Sequence, residues 1–407
     1  MPKIFDYSYN QQKAIGALES IENSQNELIK DDYIRTKEFL QEVFEEFENP
    51  YKLEQVSYAF IIPTRASRFN EEYWEEVYDF FPALRYLSKH DAFIFLSSIP
   101  PFRIEMYGKA GDRSSGVLVF APIFTDMLKD HKSKILLSRK VRKRINETVQ
   151  FAKDKFGVKY VGLGATLPRL TNYGKAIKAD VITTTGHAGT TALIKKTVLK
   201  VINDKPSLDD KLTIGFIGGG AIGLSSMQSL AIALPEAKFI TYDKRDSVNK
   251  KNRSILKKYN KDMVIASSNR ELIDSSQLVV SAITSSIPLK NVDLTGKIIV
   301  DDSQPGSFNR EQVIECGGEL IWVIGEDASQ TNFVTRRQGY SYGKNGLHSS
   351  SHVWGCEAEV ASIAFLDAPE YAVRDAVSLE KINDIDEIFE KLGITVAPFQ
   401  SHGQINE

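Results

Sequence analysis

One stretch restricts the fold of this chain more than any other. It is Leu212-Thr-Ile-Gly-Phe-Ile-Gly-Gly-Gly-Ala-Ile-Gly-Leu224, followed by Phe239-Ile-Thr-Tyr-Asp243. The apolar run Leu212 to Ile217 reads as a buried strand that enters a glycine-rich turn, Gly218-x-Gly220-x-x-Gly223. An apolar, small-residue run beginning with Ala221 and Ile222 leaves it as a helix. A second short strand then closes on Asp243, about 20 positions after Gly223, the separation a dinucleotide-binding βαβ unit uses. Three glycines alone are common in loops; the ordered context is what carries weight. Gly218 permits a tight turn, Gly220 lets the backbone approach a pyrophosphate, and Gly223 lets the helix pack against the strand. The helix start offers free N–H groups and partial positive charge to phosphates.

The same unit settles a question of class. Leu212 to Pro235 carries no charge and is long enough to suggest a membrane span, but its glycines, serines and Gln228 suit the nucleotide unit better, so no transmembrane segment is expected. The 407 residues hold 51 basic and 53 acidic side chains, a net charge of −2, which gives no reason to expect a nucleic-acid partner. Cys316 and Cys356 form neither a disulfide framework nor a metal pair. With an N-terminus unlike a signal peptide, a reducing cytoplasm is expected. No metal site is expected.

Four segments follow from the texture of the chain. Residues 1–56 are polar, with Ile15, Leu18, Ile21, Leu28, Tyr33, Phe39, Leu40 and Phe44 at roughly helical spacing, and predict a helical extension of one to three helices. Residues 57–205 read as an α/β substrate domain. In it, Tyr58 to Ile62 and Ala92 to Leu96 are expected strands, Glu71 to Ser88 an expected helix, and Arg103 to Gly108 with Gly116 to Ala121 an expected ribbon. Residues 206–330 predict a Rossmann-type NAD(P)-binding domain whose later strands begin near Met263, Leu278, Lys297 and Leu320. Ligands of such sheets bind beyond the carboxyl strand ends, which points to Ala282, Thr284 and Ser285 after one strand and to Asp301, Asp302, Ser303 and Pro305 after another. Residues 331–407 are expected to form a C-terminal helical segment that carries Cys356.

Three further stretches bear on chemistry. Lys129 to Arg144 is strongly basic: it reads either as a solvated helix face or as a dock for an acidic partner. Val181-Ile-Thr-Thr-Thr-Gly-His-Ala-Gly-Thr-Thr191 puts hydroxyls, Gly186 and His187 where a strand becomes a helix. Thr185, Gly186 and Thr190 are expected to face a ligand there, while Thr190 or Thr191 as helix caps is the plainer reading. A hydrogen-bonding and a catalytic role stand open for His187. Finally, in Ser349-Ser-Ser-His-Val-Trp-Gly-Cys-Glu-Ala-Glu359 the serines are expected to cap a helix that holds Cys356 in its first turns. A helix start favours thiolate, and His352, four residues earlier, shares a face with Cys356 if the helix already includes it. Free cysteine is otherwise a small buried hydrophobe, as Cys316 is read to be.

From about residue 58 to 365 the chain resembles the aldehyde-forming, cyanobacterial-type long-chain acyl-(acyl carrier protein) reductases. The resemblance lies in an ordered set: Ser97-Ser-Ile-Pro-Pro101, Ser138-Arg-Lys-Val-Arg-Lys, Gly162-Leu-Gly164, Thr184-Thr-Gly186 with Thr190 and Thr191, the glycine turn, Asp301-Asp-Ser-Gln-Pro305, and Gly355-Cys-Glu-Ala-Glu359. It implies that Cys356 accepts the acyl group of an acyl carrier protein or coenzyme A thioester, which NADPH then reduces to a fatty aldehyde. From the local argument rather than the resemblance, which does not expect a histidine at 352, His352 or His187 would manage protons. Asp243 departs from the pattern, since a carboxylate there suits NADH; Lys244 and Arg245 beside it suit the 2′-phosphate of NADPH. Two other functions stand beside this one: a dehydrogenase of the shikimate or amino-acid type acting on a small polar substrate, and a non-catalytic dinucleotide sensor.

Overall fold

The structure is a computed structural model and describes residues 10–49, 54–64, 74–109, 111–124, 134–205, 208, 212–304, 306–328 and 346–406. Lys129, Lys132 and Pro305 lie outside these. The chain forms two compact units, residues 1–183 and 184–407, so the long helix that follows the threonine loop and the C-terminal segment belong with the glycine turn.

The first unit opens with α1 (Gln11–Gly16), α2 (Glu19–Glu22) and α3 (Glu27–Glu48). Asn10 and Asn26 start α1 and α3 by accepting a backbone N–H from Lys13 and Leu28. The extension is no free appendage, because Phe39 of α3 packs 5.2–5.6 Å, centroid to centroid, from Phe80, Phe81 and Phe102. The sheet follows: β1 (Tyr58–Thr64), then α4 (Trp74–Tyr78), α5 (Lys89–Ser98), β2 (Phe102–Tyr107), β3 (Gly116–Phe124), α6 (Lys134–Phe156), β4 (Tyr160–Leu163), α7 (Leu167–Leu170) and β5 (Ile182–Thr184), in the order β2-β3-β1-β4-β5. β1 runs parallel to both neighbours, and β2 returns antiparallel to β3 as the expected ribbon. Pro63 does not stop β1. Its pairing with β4 has ended at Ile61, and the β3 register shifts just after it, so the missing N–H costs no ladder bond in mid-strand.

Two expectations fail here. Ala92 to Leu96 is helical, within α5: Ser88 caps it by accepting from Asp91 N, and its apolar residues are buried nearly all round. A short apolar run does not separate a buried helix from a strand, and the cap decides. The span Glu71 to Ser88 is broken by Pro82, which starts a 3₁₀ turn to Tyr86. The basic run is also less of a surface than its composition suggests. Arg144 is buried, with its guanidinium donating to the carbonyls of Ser97 and Ile99. Arg142 Nε donates to Leu170 O, and Lys143 lies 3.5 Å from Glu147.

The second unit begins with α8 (His187–Asp204) and then builds a parallel sheet: β6 (Thr213–Ile217), α9 (Ala221–Ala233), β7 (Lys238–Tyr242), α10 (Asp246–Leu256), β8 (Met263–Ile265), α11 (Asn269–Asp274), β9 (Leu278–Ser281), β10 (Ile298–Asp301), α12 (Arg310–Glu315) and β11 (Glu319–Trp322). The strand order β8-β7-β6-β9-β10-β11 is parallel throughout, and the connections reverse direction between β6 and β9. This is the doubly wound α/β order of a Rossmann fold, with its ligand crevice at that reversal. A small sheet of β12 (Gly325–Asp327), β13 (His352–Val353) and β14 (Ile394–Val396), with α13 (Gly355–Leu366), α14 (Leu379–Leu392) and the hairpin β15 (Gln400–Ser401) and β16 (Gln404–Ile405), completes the unit. Lys195 and Lys196 of α8 grip Asp386 of α14 at 2.6 and 2.7 Å. Among the described residues, no helix is long and apolar enough to cross a membrane.

Candidate functional site

The glycine turn sits at the reversal. Gly218 has φ +95, and a Cβ there would meet Ile283 Cγ2 at 2.5 Å, just past β9. A Cβ on Gly223 would lie 1.9 Å from Gly218 O, so only glycine lets α9 start this close to β6. Gly220 differs, with nothing within 4 Å of where its Cβ would be. The backbone N–H groups of Gly220, Ala221 and Ile222 donate to no described residue, and they open a helix of 13 residues. Donors and open space together fit a pyrophosphate.

Asp243 follows β7 and is nearly fully used. Its carboxylate accepts from Gly219 N at 3.0 Å, from Arg245 N at 2.9 Å, and from Arg245 Nε and Nη2 at 2.8 Å each. The Arg245 fork holds the carboxyl down to about 2. Asn249 brackets Asp243 through its backbone N–H and carbonyl, and Asn252 Nδ2 holds Gly219 O at 2.9 Å. Sequence reasoning missed both asparagines; their burial on α10, otherwise strongly charged, is the signal that marks them. Lys244 is exposed. Ala282 N donates to Ile217 O, which ties it to the crevice floor, and Ile283 N donates to Ser303 Oγ; Thr284 is exposed next along.

The starts of α8 and α13 meet at atomic contact. A Cβ on Gly186, which has φ +73, would fall 2.2 Å from Cys356 Cβ; one on Gly189 would fall 2.3 Å from Gly355 O. Cys356 is therefore in the first turn of α13 with Gly186 at its back. The cap of that helix is Trp354, not Ser349 to Ser351, because residues 352–353 pair with β12 as a strand. The strand also separates His352 from the role expected of it. His352 lies before the helix, buried, with its Nδ1 2.7 Å from Gln400 Nε2 and its Nε2 3.8 Å from Glu326. It shares no helix face with Cys356.

Glu359, which sequence reasoning left without a role, organises this junction. Its buried carboxylate accepts from Gly186 N at 3.0 Å, from Gly189 N at 2.7 Å and from Thr184 Oγ1. It thereby supplies the negative charge that the start of α8 attracts. The hint was a pair of acids in an otherwise apolar helix, since a buried carboxylate needs donors. The threonines are consequently spent. Thr184 Oγ1 also accepts from Val373 N, and Thr191 Oγ1 joins His187 O and Ser225 Oγ at 2.8 Å each. The α8 cap is Gly186, neither Thr190 nor Thr191. Thr185 and Thr190 are the exceptions: the buried Thr185 hydroxyl and that of Thr190 bond no described residue.

Electrostatics run against a resting thiolate. Burial pushes the Cys356 thiol up, and the charges of Asp302, Glu357 and Glu359 add to it, overriding the helix start. Burial lowers His187, the first residue of α8, to about 4, so its ring is neutral at neutral pH. Asp302, one residue beyond β10, is raised well above the carboxylate range by burial and by Asp301. Asp301 itself is anchored by Ser303 N and by the N–H and hydroxyl of Ser307. The Thr191–Ser225 bond joins α8 to α9, so the glycine turn, the threonine loop and Cys356 form one neighbourhood.

No family model and no curated protein matches the chain. Solved structures match in part. The Delta(1)-pyrroline-2-carboxylate reductase of Thermococcus litoralis, in complex with NADH and L-proline, is 20% identical over 27% of this chain and 35% of its own, with a TM-score of 0.23. A dipicolinate synthase polypeptide from Bacillus halodurans is 14% identical over 42% and 60%, with a TM-score of 0.31. The D-isomer specific 2-hydroxyacid dehydrogenase of Lactobacillus delbrueckii ssp. bulgaricus, in its NAD complexed form, is 15% identical over 45% and 62%, with a TM-score of 0.25. The chain thus spans 35% to 62% of the length of these proteins. None of the three is an acyl carrier protein reductase, and likeness at this level says nothing about substrate.

Proposed function

We infer that the second unit binds NADH or NADPH and that the chain is a nicotinamide-dependent oxidoreductase. The observation that carries this is the set of three undonated amides over an open Gly220 at the sheet reversal, with Asp243 at the end of the next strand. The bound cofactor would supply a hydride. Gly220, Ala221 and Ile222 would hold its pyrophosphate, and Asp243 with Arg245 would meet the adenosine ribose.

For the substrate, we propose an acyl thioester, of acyl carrier protein or coenzyme A, reduced to an aldehyde through an acyl-enzyme on Cys356. Support comes from the place of Cys356, half-buried in a first turn beside the helix that packs on α9. The exposed Arg139, Arg142 and Lys143 are what remains of a basic dock for an acidic carrier. A second reading has its own support: a thiol pushed up by burial and acids is what a packing cysteine looks like, and it fits an oxidoreductase of small polar substrates.

Intact mass decides between them. The protein is mixed with palmitoyl-acyl carrier protein or palmitoyl coenzyme A, without nicotinamide. An acyl adduct, absent in Cys356→Ala and discharged as aldehyde on adding NADPH or NADH, is expected. No adduct, with Cys356→Ala retaining full dinucleotide-dependent turnover of small keto or imino acids, would overturn the acyl reading.

A further inference from the structure

One buried glutamine joins the C-terminal hairpin to the strand that leads into the helix of Cys356. Gln400, at the start of β15, is fully buried. Its Oε1 accepts from His348 N at 2.9 Å. Its Nε2 lies 2.7 Å from His352 Nδ1 and 3.4 Å from Pro398 O. A backbone N–H can only donate, so His348 decides which way the amide faces. Gln400 Nε2 then has to donate to His352, and Nδ1 has to accept. The ring proton of His352 is consequently on its Nε2, 3.8 Å from Glu326 Oε1, and the ring is neutral.

This arrangement has no good alternative once His352 takes up a proton. Nδ1 then carries a hydrogen of its own and meets those of the Gln400 amide. Turning the amide over would satisfy the ring, but it would set Nε2 against His348 N–H and Oε1 against Pro398 O. Two contacts would be lost for one gained. Glu326 pulls the other way, since a carboxylate favours the charged ring. Its side chain is 34% exposed, so water weakens that pull. Among the described residues, two other histidines belong to this corner. The ring of His348 is 6.2 Å from that of His352, with its Nδ1 3.0 Å from Gly403 O, and His402 stacks on Trp322 at 4.3 Å. A charge on His348 would oppose a second charge on His352.

Gln400 stands between two anchored pieces. On one side, β15 pairs with β16, Arg310 Nη1 donates to Ser401 Oγ and Asn406 Oδ1, and Asn406 Nδ2 donates to Leu320 O at 2.9 Å on the edge strand of the parallel sheet. On the other, His352 of β13 pairs with Glu326 of β12, and two residues later Trp354 caps the helix of Cys356.

We propose that His352 and Gln400 form a proton-operated latch, closed while His352 is neutral, that ties the hairpin to the strand feeding the Cys356 helix and opens when His352 is protonated. The latch is independent of which substrate is reduced. A ring that must be neutral when the latch is closed binds its proton more readily when the latch is open. The latch therefore holds fully above about pH 6.5 and weakens as pH falls below it.

Deuterium exchange read by mass spectrometry over residues 346–354 and 399–406 tests this, each rate being compared with that of an unstructured peptide at the same pH. Between pH 7.5 and pH 5.5 the protection of both segments in the wild type is expected to fall roughly 10-fold. His352→Gln is neutral at every pH and offers Gln400 an oxygen, so its protection should stay flat. Gln400→Glu should also stay flat, because a carboxylate accepts from His348 N–H and from a protonated ring alike. His402→Phe should fall as the wild type does. Wild-type protection that does not fall, a fall that survives in His352→Gln, or one that disappears in His402→Phe would overturn the proposal. Should one of the two latch variants misfold by circular dichroism, the other decides.

Discussion

Two helices in the second unit start alike and end up used in opposite ways. Both α8 and α9 leave a short strand through glycine, and both present first-turn amides and a partial positive charge. At α9 the amides of Gly220, Ala221 and Ile222 are left for a ligand. At α8 the chain brings its own anion, Glu359, and spends the amides of Gly186 and Gly189 on it. A glycine-rich strand-to-helix turn therefore does not specify an external anion. What specifies it is whether a carboxylate from elsewhere arrives first.

The contrast can be broken from either side. The largest effect is expected from Gly223→Ala, whose Cβ has only backbone to displace. It should cost about 3 kcal/mol in urea unfolding and abolish NADPH binding followed by fluorescence. Next comes Glu359→Ala, which strips α8 of its anion: a loss of about 2–3 kcal/mol is expected, with sulfate restoring more stability to this variant than to the wild type. If sulfate makes no difference, the two helix starts are not equivalent. Gly220→Ala should leave urea unfolding within about 0.5 kcal/mol while weakening dinucleotide binding roughly 10-fold, because its Cβ enters space that only a ligand needs.

Two smaller effects sharpen the picture. Arg245→Ala removes the fork from Asp243 and should move preference from NADPH toward NADH by about 10-fold, read from the two dissociation constants. His187, held near 4 in the fold, binds its proton more readily in the unfolded chain. Its contribution is thus complete above about pH 6.5 and lost as pH falls toward 4, roughly 2 kcal/mol by pH 4.5. His187→Gln should flatten that part of the stability–pH curve.

What could be read from sequence follows a physical line. The parallel sheet was legible because strands buried on both faces are near-continuous apolar runs at βα spacing, and the glycine turn because its constraints are local. The first-unit errors came from runs too short to show a period, as at Ala92 to Leu96, where a serine cap decided the outcome. At the site, Gly218 to Gly223 and Asp243 were found by pattern, but the partners that spend Asp243 lie on other elements. Glu359 was invisible as a cap because the amides it serves are about 170 positions away. His352 was misplaced for a related reason: whether it joins the helix of Cys356 depends on β12, which captures it as a strand.

The bond between Glu359 and the glycine amides also sets a clock. First-turn amides normally trade their protons for deuterium early, since nothing in the helix holds them. Those of Gly186 and Gly189 are held by a carboxylate on another helix, and they can exchange only when α13 lifts from α8. Two glycines at a helix start would therefore be among the slow sites of the second unit, and their exchange rate would measure how often the joint carrying Cys356 comes apart.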